Sequence, residues 1–254
     1  MNIGVIGGGS WGTALAKLLA DQGNEVMLWA YEPELIEQIN EGHENTLYLP
    51  DIGLPKTLRA TNDLAVCVSG KEMIVSVSPS HVVRPVIAQA ASHIPEGVPI
   101  VSASKGIENK TLMLVSDILE DVLPPRYHPY LCYLSGPSFA REVAQNKPTA
   151  VTIASYNQRL AGRVQEVFST PLFRAYTSND VVGVEVGGAV KNVIAIASGA
   201  VTAMDLGHNA TAGMITRGLH EITRLAVRMG ANPLTLTGLA GMGDLVLTCT
   251  GGLS

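Results

Sequence analysis

The residue with the clearest capacity for chemistry is Lys191, which stands in the apolar stretch Gly187-Gly188-Ala189-Val190-Lys191-Asn192-Val193-Ile194-Ala195. An ammonium among Val, Ile and Ala is poorly hydrated, and burial lowers a lysine's pKa toward the range useful for proton transfer. Such a group can give a proton to an oxygen or take one from it. The alternative is a lysine that snorkels out along its helix and does no chemistry; the setting favours the acid/base role. Gly187, Gly188 and Ala189 leave room for another backbone or a ligand one turn before the amine. Asn192 either orients a ligand or satisfies backbone groups.

A second set lies near the N-terminus. Gly7, Gly9 and Gly12 in Gly7-Gly8-Gly9-Ser10-Trp11-Gly12 satisfy G-x-G-x-x-G between an apolar strand pattern and a helical one, the context this motif requires. Gly7 permits the tight turn, Gly9 the approach of a pyrophosphate, and Gly12 close packing of helix on strand. The following helix N-terminus offers amide donors to phosphate. The loop therefore predicts a dinucleotide site. The next strand ends Trp29-Ala30-Tyr31-Glu32, with an acid near the ribose position but one or two residues late and no arginine for a 2′-phosphate, so both NAD and NADP stay open. With a nicotinamide nearby, the amine of Lys191 would match hydride arrival at carbon with a proton at oxygen.

In open α/β sheets ligands lie beyond the carboxyl ends of the strands. Here those ends read Ser78-Pro79-Ser80, Ser104-Lys105-Gly106 and Ser135-Gly136-Pro137-Ser138. Small polar residues with one cation suit a small anionic substrate, and Lys105 could balance a carboxylate or phosphate. Pro137 fits a helix first turn, so Gly136 and Ser138 mark either an anion site or a plain helix start. Asp244, in Gly241-Met242-Gly243-Asp244-Leu245, could bond Lys191 or a substrate hydroxyl; spacing alone favours an N-cap for the segment 245–249. The six histidines include no pair at metal-ligand spacing, and no nucleophile elbow is present.

These residues need a scaffold, and the pattern supplies one. Nearly continuous apolar runs at 2–6, 25–30, 73–78, 98–104, 130–134 and 149–154 alternate with helix-length stretches such as 11–22 and 111–122. This predicts β-α-β units on a mostly parallel sheet over residues 1–180. From 181 to 254 only helices are expected. In 213–229 the residues Ile215, Leu219, Ile222, Leu225, Ala226 and Met229 fall at helical spacing. The fold class is α/β, a Rossmann-type sheet followed by an all-helical second unit that looks cut short at Ser254. The run 181–204 contains Glu185 and Lys191, costly at bilayer depth, and is read as a buried helix without membrane insertion.

Composition narrows the classes further. Of 254 residues only 15% are charged, against about 25% in an average domain, and 46% are hydrophobic, which excludes extensive disorder. Seventeen Lys and Arg against 22 Asp and Glu give −5, with no basic cluster for nucleic acid. Cys67, Cys132 and Cys249 are scattered, as in a reducing cytoplasm. No Lys or Arg precedes Lys17, so the charged start of an export signal is missing.

Together the segments Gly7–Ala16, Ser104-Lys105-Gly106, Ser135–Ala140, Gly187–Ala195 and Gly241–Thr250 resemble the bacterial NAD(P)-dependent glycerol-3-phosphate dehydrogenases over essentially the whole chain. The last two segments are the specific ones. The resemblance implies reduction of dihydroxyacetone phosphate, a triose phosphate, to sn-glycerol 3-phosphate for phospholipid synthesis in the cytoplasm, by an enzyme that can be a homodimer. It implies that Lys191 is the proton donor and acceptor. By the same pattern Lys105, Gly136, Ser138, Lys191, Asp244 and Ser254 contact substrate, and Gly7, Gly9, Ser10, Trp11, Gly12, Tyr31, Tyr48, Lys105 and Ala140 line NAD or NADP, with no metal. The family pattern continues past Ser254 into an arginine-rich stretch that holds phosphate. Two rival readings are a 3-hydroxy-acid dehydrogenase of similar architecture, and a module that senses a dinucleotide without catalysis.

Overall fold

The computed structural model describes residues 1–251. In chain order its strands are β1 (Asn2–Ile6), β2 (Glu25–Trp29), β3 (Glu44–Asn45), β4 (Leu49–Gly53), β5 (Leu58–Thr61), β6 (Met73–Ser76), β7 (Ile100–Ser102), β8 (Leu131–Ser135), β9 (Thr149–Ala154) and β10 (Phe173–Ser178). Eight of them form one sheet in the order β10-β9-β8-β7-β6-β1-β2-β5, while β3 and β4 make a separate antiparallel pair. From β5 to β8 every pairing is parallel, and only β8 and β9 run antiparallel. The sheet is thus mostly parallel, as the apolar runs predict.

Helices cover both faces, which is why the central strands carry almost no polar residues. On one face Leu15 and Leu19 of helix Ser10–Asp21, Leu35 and Ile39 of helix Pro33–Gly42, and Leu160, Val164 and Phe168 of helix Gln158–Phe168 pack into one core. On the other, Val83 and Ile87 of helix Ser80–Ala90 and Ile118 and Leu119 of helix Val115–Val122 build a second, joined by Val181 and Val184. Beyond Ser178 the described residues form only helices and their connections, dominated by Val181–Ala203 and Gly207–Arg228, with a separate small core around Val186, Ile222, Leu236 and Leu245.

Several elements differ from the sequence expectation, each for a local reason. β5 and β10 lie at the sheet edges and bury only alternate residues, so they lack a continuous apolar run. The helix expected from 111 begins at Val115, because Leu112 is left-handed (φ 59°) and Asp117 accepts the Leu114 N–H to close the first turn. Pro137 does not start a helix. Gly136 turns at φ 144° and the helix is the short Ala140–Ala144. Helix Val181–Ala203 is long and apolar enough to cross a bilayer by length and composition. It is buried chiefly in its first half, and Val193 (69% exposed) and Ile196 (76% exposed) face outward, so the expectation of a buried helix is corrected there.

Candidate active site

The parallel registers align Ile6 with Trp29 and with Ser76, and Ser76 with Ser102. The loops after β1, β2, β6 and β7 therefore leave the sheet along one rim, and the site is assembled there. Gly7 bends at φ 124°, where a Cβ would stand 2.7 Å from the Val77 carbonyl oxygen. A Cβ on Gly12 would drive into the Gly7 carbonyl, whereas one on Gly9 would meet nothing within 4 Å. Gly7 and Gly12 thus pack the turn, and Gly9 leaves an open floor.

Above that floor is a cavity of about 770 Å³, lined by the glycine turn, by Tyr31, Glu32 and Tyr48, and by Ser104, Lys105 and Ser138. Trp11 Nε1, Ser78 Oγ and Ser104 Oγ, on three residues that line it, are shut from water without a hydrogen-bond partner. Buried polar groups left this way are costly and await a polar ligand. The 12-residue helix Ser10–Asp21 presents its N-terminus to the same space. Turn, donors and helix end fit a dinucleotide. Ala140 lies beside it, in a smaller cavity of about 350 Å³ shared with Ser10, Trp11, Tyr48 and Ser138. Tyr31 is 79% exposed, its ring edge-on to Trp29 at 6.5 Å.

Next to the cavity three charged side chains converge. Asp244, 1% exposed, receives Lys191 Nζ on Oδ1 at 2.6 Å and Lys105 Nζ on Oδ2. Lys191 also donates to Thr248 Oγ1 at 2.7 Å, Thr248 donates to the Asp244 carbonyl, and Lys105 donates to the Gly136 carbonyl at 3.2 Å. Ser138 Oγ donates to that same carbonyl at 3.0 Å. Lys191 is therefore neither an isolated amine in grease nor a snorkelling one: its side chain is 13% exposed and its ammonium is held by two oxygen partners, with a third N–H to spare. Asp244 is not the cap that spacing favours. Gly243 holds the cap position of helix Asp244–Thr250 without a side-chain bond, and the carboxylate turns to the lysines. A cap bond contributes about 1 kcal/mol, whereas sealing ammonium groups away without a counter-charge costs several times more. Burial pushes the Lys105 amine below its ordinary range; Asp244 opposes the shift and the Lys191 charge adds to it.

The backbone explains how these groups meet. Leu239–Gly243 forms a π turn, with Gly243 N–H donating to the Gly238 carbonyl at 3.0 Å, and it delivers Asp244 toward the long helix. A Cβ on Gly187 would strike the Ala240 carbonyl, and one on Gly188 would stand 2.8 Å from Ser135 Oγ and 3.3 Å from Lys105 Cδ. The glycine pair thus admits another backbone on one side and the Lys105 stem on the other. The structure brings Lys105, Gly136, Ser138, Lys191 and Asp244 together; Lys191 and Asp244 do not themselves line the large cavity, and Ser254 lies outside the described residues. Thr248 escaped the sequence reading, although its position four residues after Asp244 puts it on the same helix face. Among the described residues no group of three or more His, Cys, Asp or Glu is placed to hold a metal ion.

A glycine-turn sheet whose rim meets a lysine-bearing helix defines a nicotinamide-dependent oxidoreductase acting on a CH–OH group. Comparison gives the particular lineage. Residues 2–161 match the family described as NAD-dependent glycerol-3-phosphate dehydrogenase N-terminus, and residues 180–254 match its C-terminus. A relative from Myxococcus xanthus named glycerol-3-phosphate dehydrogenase [NAD(P)+] is 58% identical over 98% of this chain and 75% of its own length. The crystal structure of glycerol-3-phosphate dehydrogenase from Coxiella burnetii is 40% identical with a TM-score of 0.93, covering 100% of this chain and 77% of that one. A glycerol-3-phosphate dehydrogenase from Plasmodium falciparum, 27% identical, superposes with a TM-score of 0.88 over 99% of this chain and 73% of its own. The chain belongs to the NAD-dependent glycerol-3-phosphate dehydrogenase family.

Proposed function

We propose that the protein reduces dihydroxyacetone phosphate to sn-glycerol 3-phosphate, a precursor for phospholipid synthesis, with Lys191 handling the proton. The observation that carries this reading is the convergence of Lys105, Asp244 and Lys191 beside a dinucleotide-shaped cavity. Nicotinamide, when bound, supplies the hydride. The chain does the rest. Gly7, Gly9 and Gly12 shape the floor, and Ser10, Trp11, Tyr31, Tyr48, Lys105 and Ala140 surround the cofactor. Lys105, Gly136, Ser138 and Asp244 hold the substrate. Asp244 fixes the Lys191 ammonium where its proton can pass to the carbonyl oxygen, and Thr248 restrains the same amine from a second direction. Residues 1–180 serve as the dinucleotide-binding unit and 181–254 as the helical substrate unit. Three unpaired cysteines support a cytoplasmic home, and the outward Val193 and Ile196 support pairing with a second copy as a homodimer.

Oxidation of reduced nicotinamide with dihydroxyacetone phosphate, measured for wild type and Lys191→Ala, tests the reading. Loss of a positioned acid/base lowers kcat by about 10²-fold or more; equal turnover by both proteins removes Lys191 from the chemistry. Preference for a 3-hydroxy acid over the triose phosphate would overturn the substrate assignment, and tight dinucleotide binding without turnover of either would leave a sensor.

A further inference from the structure

The loop that carries Lys105 is tied down by side chains that the proposed mechanism leaves unused. We propose that Arg84 is a positioning residue for the reaction: by gripping Glu108 it fixes the strap 104–114, and with it the reach of the Lys105 amine into the site. The inference deepens the reading above and rests on its assignment of Lys105 to the substrate.

The strap leaves the sheet after β7 and runs into the helix that begins at Val115. Both main-chain groups of Glu108 are engaged inside it: its N–H donates to the Met113 carbonyl and its carbonyl accepts the Leu112 N–H, each at 2.9 Å. The carboxylate is left to helix Ser80–Ala90. There Arg84 closes on it as a fork, Nε donating to Oε1 at 2.9 Å and Nη2 to Oε2 at 3.0 Å, while Thr111 donates its hydroxyl to the same Oε2. The remaining arm, Nη1, donates to Asp121 of the next helix. A planar fork of charge-assisted bonds fixes direction as well as distance. The Glu108 side chain is only 16% exposed, so solvent weakens this pair less than an open surface pair. The Arg84 guanidinium, aided by the Thr111 hydroxyl, holds the Glu108 carboxyl below its ordinary range.

A second contact on the same helix face completes the grip. Ser80 stands four residues before Arg84, and both meet the strap. Gly106 turns at φ 134°, where a Cβ would stand 2.6 Å from Ser80 Oγ. The residue after Lys105 is thus seated on the first helical turn, and Glu108 is held one turn further on. The neighbouring face of that helix, with His81, Val82, Pro85 and Val86, lines the large cavity, whereas Arg84 is not among the lining residues. Its influence on the reaction therefore runs through Glu108 and the strap. Pro85 has no N–H for the His81 carbonyl, so the first turn depends more on ties outside its own ladder. On the strap's other side Ile107 packs against the core of the helical unit. Lys105 itself has little slack, because its Nζ already spans to Asp244 and to the Gly136 carbonyl. A shift of the strap by about 1 Å would carry the amine out of these bonds, and misplacement on that scale can cost up to about 10²-fold in rate.

The test compares wild type with Arg84→Lys, Glu108→Gln and Asp121→Asn. Arg84→Lys keeps the charge and loses the fork, Glu108→Gln releases the strap, and Asp121→Asn removes the arginine's other partner while sparing the strap. Arg84→Lys and Glu108→Gln should each raise KM for dihydroxyacetone phosphate about tenfold, with the Kd of the reduced dinucleotide, titrated without substrate, within about twofold of wild type. Asp121→Asn should leave both constants within about twofold. A merely structural arginine would lower Tm with KM unmoved. Labelling of Lys105 by a small amine reagent, followed by peptide mass spectrometry, reads the same amine without turnover, and it should run several-fold faster in Glu108→Gln than in wild type. An unchanged KM or an unchanged labelling rate in folded Glu108→Gln, or an equal rise of KM in Asp121→Asn, overturns the proposal. Absence of triose-phosphate turnover in wild type sinks the catalytic reading alone; the labelling rate then decides by itself whether Arg84 sets the Lys105 amine, faster supporting the proposal and unchanged overturning it.

Discussion

Glu185 offers a sharp test of how the two units are joined. It lies on the long helix six residues before Lys191, and its Oε1 accepts the Ser116 N–H at 3.0 Å in the first turn of helix Val115–Val122. Its Oε2 is sealed from water with no partner, as is the Tyr133 hydroxyl. Burial pushes the carboxyl up to about 7; the Ser116 bonds oppose the shift, and the charges of Asp117 and Glu120 add to it. The ordinary value is 4.5, so the rise is worth about 3 to 4 kcal/mol. The native state holds its proton more tightly than the unfolded chain. The stability it contributes is therefore full below about pH 4.5, drains away as pH climbs to about 7, and stays lost above. In Glu185→Gln an uncharged amide can accept the same N–H, so the variant should gain about 3 kcal/mol over wild type at pH 8 and almost nothing at pH 4.5. Urea unfolding of both proteins at half-unit steps from pH 4.5 to 8 reads this difference, in which other titrating groups cancel. Parallel stability profiles would refute the account, because they would mean that Glu185 is ionised and solvated in the fold.

Two further outcomes follow from the site. Asp244→Asn strips the carboxylate shared by Lys105 and Lys191, so it should destabilise the fold by about 3 kcal/mol in denaturant titration and lower turnover at saturating substrate. Retention of both properties would remove Asp244 from its central position. Gly12→Ala pushes helix Ser10–Asp21 off the Gly7 carbonyl; overpacking of this kind costs about 1–3 kcal/mol, visible as a lower Tm and weaker dinucleotide binding by fluorescence titration.

The central sheet was legible because β1, β6 and β8 are covered on both faces and therefore spell unbroken apolar runs. The edge strands β5 and β10 were not, since half of each faces water and their residues alternate. The glycine turn could be read residue by residue, as its geometry follows from the absence of a Cβ. The β3–β4 hairpin could not, because its weight rests on Asn45, an unremarkable polar residue until Gly8 and Thr13 are folded against it. The role of Asp244 shows the same limit. Local spacing makes it a helix cap, and only contacts reaching back 53 and 139 residues in sequence make it a partner for two lysines. Periodicity reports burial along one element; pairings across elements depend on a topology that no window of sequence contains.

The carboxylate of Asp244 belongs to the helical unit, whereas Lys105 rises from the sheet rim and Lys191 from the long helix. One acidic side chain is thus a clasp between the halves of the molecule and, in the mechanism proposed above, the group that holds the proton-carrying amine. A substrate that draws Lys105 toward its own negative charge must slacken that clasp in the act of docking, so mechanical cohesion and turnover compete for a single residue, and selection cannot improve one without conceding some of the other.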